Sequence, residues 1–128
     1  MAEFTQIYTP DAAFPAGPYS QAIKTANTIY CSGQIPCDTN GTILTLETSN
    51  ISAMTEQCIR NLAAVLNAAG SGIERVVKVN VFLTTMEHFA EMNATYAKWF
   101  THKPARSCVA VKELPKGVPV EIECIGLA

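Results

Sequence analysis

The chain has 128 residues, 48% of them hydrophobic and only 16% charged, with a formal net charge of −2. That is the length of one domain, able to bury roughly two-thirds of its unfolded surface without disulfides or metals. The charged fraction is below the roughly 25% of an average soluble domain, which points to surface withdrawn from water in a homo-oligomer. The nine Lys and Arg run from Lys24 to Lys116 without clustering, so nucleic acid is not an expected partner. No apolar run nears the roughly 18 residues of a membrane span.

Phe4 to Tyr8 reads as a short strand, and the three prolines between Pro10 and Pro18 make the next segment an ordered loop. Tyr19 to Lys24 and Thr28 to Ser32 flank Ala26-Asn27, a turn pair in which Asn tolerates the left-handed conformation, and so predict a β-hairpin. Gly33 to Gly41 then leaves the sheet. Apolar residues at 51, 54, 58, 62, 65, 66 and 69 predict an amphipathic helix over 51–69, capped by Asn50 and stopped by Gly70. The β-branched stretch Val76 to Thr84 predicts a central strand, with Val77, Val79, Val81 and Leu83 on one face and Val76 and Phe82 on the other. Thr84-Thr-Met-Glu87 fits a capping box for a second helix that runs to about Phe100. Ala105 to Val111 and Val120 to Leu127 are two further strands around a turn at Leu114-Pro-Lys-Gly117. Each helix connects two strands, so both belong on one face of a mixed sheet, and a second subunit is the simplest cover for the other face.

The first thirty residues lack a basic stretch leading into an apolar one, which gives a cytosolic address as the expectation. Cys31, Cys37, Cys58, Cys108 and Cys124 are odd in number and fit neither a disulfide framework nor zinc spacing, so they read as reduced thiols. His88 and His102 have no partner at ligand spacing, and neither a metal nor a triad role is assigned.

Arg106 and Cys108 share one face of their strand, with Ser107 and Val109 on the other. A guanidinium in an otherwise uncharged strand needs an anion. Either it clamps a substrate carboxylate with paired hydrogen bonds, or it forms a structural ion pair with Glu121 or Glu123. Those two glutamates also share a face, among Val120, Ile122 and Ile125. A carboxylate in that setting can act as a general acid or base or hold a water, and it can equally be an ion-pair partner or an exposed edge. Cys108 reads first as a small buried residue and second as a nucleophile. Tyr19 and Ser32 lie near strand ends beside glycines, where a hydroxyl can face a cleft.

Gly17-Pro-Tyr-Ser-Gln-Ala22, Ser32-Gly-Gln-Ile-Pro36, Asn93-Ala-Thr-Tyr96 and Pro104-Ala-Arg-Ser-Cys-Val109, followed by Val120-Glu-Ile-Glu123, resemble the reactive intermediate deaminase family (RidA/YjgF) over essentially the whole chain. Val76-Val-Lys-Val-Asn-Val81 and Thr101-His-Lys-Pro104 look most like fungal members. The resemblance implies an α+β, chorismate-mutase-like fold, a single domain over 1–128, and a homotrimer with clefts at its interfaces. It also implies hydrolysis of 2-imino acids, or of the tautomeric 2-aminoacrylate, to 2-oxo acids and ammonia with no cofactor, which protects pyridoxal-phosphate enzymes. Carried over by position, Arg106 matches the carboxylate-binding Arg and Glu121 the water-positioning Glu. Tyr19, Ser32 and Cys108 match pocket-lining positions, Gly33 the glycine beside the ligand, and Asn93 a supporting residue. The alternatives are a non-catalytic module that senses 2-oxo acids and an RNA-cleaving inhibitor of translation, against which the scattered basic residues speak.

Overall fold

A computed structural model describes residues 3–128. Six strands, β1 (Thr5–Ile7), β2 (Ala22–Lys24), β3 (Thr28–Gln34), β4 (Val76–Leu83), β5 (Ala105–Ala110) and β6 (Val120–Leu127), form one sheet in the order β1-β2-β3-β6-β4-β5. Only β4 and β5 are parallel neighbours, joined by α2 (Phe89–Trp99). The helix α1 (Ile51–Ala68) leads from β3 to β4, with the antiparallel β6 inserted between those two strands. α1 packs on β3 and β6, and α2 packs on α1, so one face of the sheet is covered by helix and the other is open.

α1 forms where the apolar spacing places it. Met54, Cys58, Leu62, Val65 and Leu66 are fully buried, Asn50 accepts from the Ala53 amide at 2.8 Å, and Gly70 takes a left-handed φ of 83° past the end. In β6 the alternation is equally clear. Val120, Ile122 and Cys124 point into the core, while Glu121, Glu123 and Ile125 are half-buried on the open face.

Two local expectations are corrected. Val76 pairs with Gly126 and Lys78 with Ile125, which leaves Val77 as the extra residue of a bulge. Val76 is therefore buried with Val79, Val81 and Leu83, and Val77 is exposed. The capping box at Thr84 is not formed. The Thr84 amide donates to the Pro119 carbonyl, and Thr85 instead accepts from the Glu87 amide at the start of a short 3-10 turn, Met86–His88, that precedes α2. Beside this bulge the His102 ring is held in place, its Nε2 2.8 Å from the Val76 carbonyl oxygen.

The proline-rich loop is held by one buried amide. The side chain of Gln21 accepts from the Thr9 amide at 2.7 Å and donates to the carbonyls of Thr9 and Ala13. Truncation to alanine strands three buried backbone groups, and we expect Gln21→Ala to cost about 2–3 kcal/mol. Urea denaturation at matched protein concentration checks this, with the midpoint falling below that of the wild type.

The open face carries apolar groups that the described chain leaves uncovered: Tyr30 and Val109 are each about half exposed, at 51% and 48%. No helix is long and apolar enough to cross a membrane.

Candidate functional site

The sequence-derived residues fall into two half-sites on opposite faces of the sheet. In the β4–β5 register Arg106 lies beside Val79 and Cys108 beside Val81, which sets both on the helix-covered face. Glu121 lies beside Phe82 and Glu123 beside Asn80, on the open face. A structural ion pair between Arg106 and either glutamate of the same chain is thereby excluded. Among the described residues the ion pair formed is the exposed Arg60–Glu56.

Arg106 is nonetheless fixed. Its Nη1 donates to Asn93 Oδ1 at 2.6 Å, and its guanidinium carbon stands 4.8 Å from the centroid of the Tyr96 ring and 5.6 Å from that of Phe89. An amide acceptor and two aromatic faces orient the cation without neutralising it. It borders an open cavity of about 350 Å³ with Asn93, Tyr96, Lys103 and Pro104, so a charge-bearing fork faces space that an anion can enter. Cys108 is half-buried in the same row. Burial pushes its thiol up, and the Arg106 charge acts in the opposite direction without reversing the rise. This favours its reading as a small packing residue over a nucleophile.

On the other face, Glu121 stands against Gly33. A Cβ placed on Gly33 would lie 2.9 Å from both the carboxyl carbon and Oε2 of Glu121. Only a residue without a side chain lets the carboxylate approach this strand so closely. The pairing of β3 with β6 shifts between Cys31 and Gln34, which releases Ser32 and Gly33 from the ladder at this point. Burial raises the Glu121 pKa from its ordinary value, and the neighbouring Glu123 raises it further. Glu123 itself accepts from Asn80 Nδ2 at 3.2 Å. Ser32 Oγ donates to the Ser20 carbonyl at 2.7 Å, so its proton is committed to the backbone and its lone pairs remain free. The Tyr19 hydroxyl accepts from the Ala16 amide at 3.1 Å and keeps its proton for another acceptor. Tyr19 and Gly33 together line a cavity of about 150 Å³.

Thus Arg106, Asn93 and Cys108 are brought together, as are Glu121 and Gly33 and, separately, Tyr19 and Gly33, but the two faces do not meet within one chain. Phe89 and Tyr96 were not singled out from sequence as supports of the guanidinium. The spacing Asn93-x-x-Tyr96, which puts both on one helical face, carries that signal. Among the described residues no three His, Cys, Asp or Glu side chains converge in a way that could hold a metal ion.

A family model described as Endoribonuclease L-PSP matches residues 9–128. Protein HMF1 of Saccharomyces cerevisiae is 48% identical over 122 residues, which cover 94% of this chain and 92% of the relative. Among solved structures, yeast Mmf1 superposes with a TM-score of 0.92 at 43% identity, covering 97% of this chain and 98% of that one. Escherichia coli TdcF with bound serine superposes with a TM-score of 0.90 at 32% identity, covering 97% and 98% respectively. With the family model and these relatives in agreement, the chain belongs to the RidA/YjgF family.

Proposed function

We propose that the protein hydrolyses small 2-imino acids, including 2-iminobutanoate and 2-iminopropanoate, to 2-oxo acids and ammonia. The observation that carries this reading is the state of Arg106: half-buried, oriented by Asn93 and Tyr96, facing a cavity and paired with no carboxylate among the described residues. A guanidinium so prepared fits the carboxylate of an imino acid. The bound serine of TdcF, a small molecule with the same carboxylate, supports the assignment.

Water adds to the imine carbon, and the resulting carbinolamine expels ammonia as the carbonyl forms. Arg106 holds the substrate so that this attack is oriented. Glu121 accepts a proton from the water, returns it to the leaving nitrogen, and stabilises the iminium by its charge. Tyr19 and Ser32 offer hydrogen bonds to substrate or water. Imines already hydrolyse in water, so a modest lowering of the barrier is enough. Removing such reactive imines protects pyridoxal-phosphate enzymes, and a cytosolic address belongs to the same reading.

Because Arg106 and Glu121 occupy opposite faces, one substrate can meet both only where two copies adjoin. We therefore assign the site to clefts between the subunits of a homotrimer, with the exposed Tyr30 and Val109 on the open face among the groups assembly would cover.

The test measures turnover of 2-iminobutanoate and binding of 2-oxobutanoate on the same preparation. Turnover with binding supports hydrolysis. Binding without turnover makes the protein a carboxylate-sensing module, the reading second in line because the Arg106 pocket serves it equally. RNA cleavage that persists in Arg106→Ala would place that activity on another surface.

The raised pKa of Glu121 gives a pH prediction. Its carboxylate form is the one that accepts the proton, so kcat/KM falls as pH drops through the raised pKa of Glu121. Glu123→Gln removes one of the two causes, and its pH–rate profile should show the acid limb displaced to lower pH than in the wild type.

A further inference from the structure

Two of the five cysteines face each other. Cys31 on β3 stands directly opposite Cys124 on β6 in the antiparallel ladder, at the last regular pair before the shift that releases Ser32 and Gly33. Directly opposite residues of such a ladder have Cα atoms about 4.5 or 5.5 Å apart and side chains on one face, and both spacings lie within the roughly 4.4–6.8 Å that a disulfide spans. The two thiols are free, buried in the core and joined by a hydrogen bond. The other three have no such partner: Cys37 lies across from Ile43, Cys108 beside Val81, and Cys58 faces the core from α1. A small pocket lined by Tyr30, Lys78, Asn80 and Glu123 also borders both Cys31 and Cys124, which gives a two-atom oxidant a way to the pair.

We propose that Cys31 and Cys124 are a site of reversible oxidation, at which hydrogen peroxide closes an intrachain disulfide that ties β3 to β6 beside the bulge where Glu121 meets Gly33. One sulfur attacks a peroxide oxygen and the O–O bond breaks, leaving a sulfenic acid and a water. The second sulfur then displaces that hydroxyl as water, so two thiols and one peroxide give one disulfide and two waters, with sulfur oxidised and peroxide oxygen reduced. The hydrogen bond to Cys31 and burial hold the Cys124 thiol well above its ordinary value. Thiolate is therefore scarce, and closure is slow, a response to sustained exposure. The proposal is independent of the imine-hydrolase reading.

The test holds the native protein with hydrogen peroxide until Cys37 and Cys108 have reacted, alkylates the remaining thiols in denaturant, and maps the peptides by fragment-ion mass spectrometry. The expected result is a Cys31–Cys124 link, two hydrogens lighter than the reduced pair and removed by dithiothreitol, with Cys58 still a thiol although it is equally buried. Because the bond closes a loop over most of the chain, the oxidised protein should also unfold at a higher urea concentration, a rise that peroxide should not produce in Cys31→Ala. A map without the Cys31–Cys124 link once Cys37 and Cys108 are oxidised overturns the proposal. So does a map in which Cys58 is joined to Cys31 or Cys124 as often as they are to each other, since that is scrambling in unfolded chains.

Discussion

Arg106→Ala is expected to lower kcat/KM for 2-iminobutanoate about 100-fold, the loss of two charge-assisted hydrogen bonds to the substrate carboxylate. The fold should survive, because the side chain projects from an edge strand and its one hydrogen bond among the described residues is to Asn93. Arg106→Lys keeps the charge but not the planar fork, and should recover only part of the rate. Steady-state kinetics beside thermal unfolding of each variant separates the two effects. A fall in kcat/KM without a fall in melting temperature is the expected pattern.

Mixing two inactive variants should restore activity. Arg106→Ala keeps Glu121, and Glu121→Gln keeps Arg106. If each site takes the guanidinium from one subunit and the carboxylate from its neighbour, random reassembly of equal amounts makes about a quarter of the sites intact. The measurement is the imine hydrolysis rate after the two proteins are unfolded together and refolded, compared with each refolded alone. Recovery to about a quarter of the wild-type rate is expected. Rates no higher than the separate variants would mean that both groups act from one chain, against the placement of Arg106 beside Val79 and Glu121 beside Phe82 on opposite faces.

Where one face of an element carries the signal, sequence and structure agree closely. The three-and-four spacing from Ile51 is answered by buried side chains at those positions, and the caps at Asn50 and Gly70 by their geometry. The alternation that puts Glu121 and Glu123 on one side of β6 is likewise present. The errors occur where a neighbouring element decides. Val77 becomes the bulge through the pairing of β4 with β6: Val76 lies opposite Gly126, where β6 runs so close to α1 that a Cβ would lie 3.1 Å from Leu66. Nothing local to Val76 records it. Thr85 replaces Thr84 as the cap because the Thr84 amide is taken by Pro119, thirty-five residues onward.

The candidate site divides in the same way. Residue types single out Arg106 and Glu121 with their alternatives open, and the family resemblance adds Asn93 and Gly33 and the role of each. Their separation between two faces depends on β6 pairing antiparallel with β4 while β5 pairs parallel with it, a registration set by tertiary packing. The support of Arg106 by Phe89 and Tyr96 crosses from α2 to β5, and the clasp of Gln21 on Thr9 and Ala13 spans a loop. Both are contacts between segments that sequence periodicity treats separately.

The central claim is that this family member hydrolyses imines at a site built around Arg106 and Glu121. Its most direct test is the rate at which 2-oxobutanoate appears from enzymatically generated 2-iminobutanoate, with and without the assembled wild-type protein. A saturable acceleration that 2-oxobutanoate itself inhibits is the predicted result. A well-folded protein that binds 2-oxobutanoate and leaves the rate at its value in buffer would contradict it.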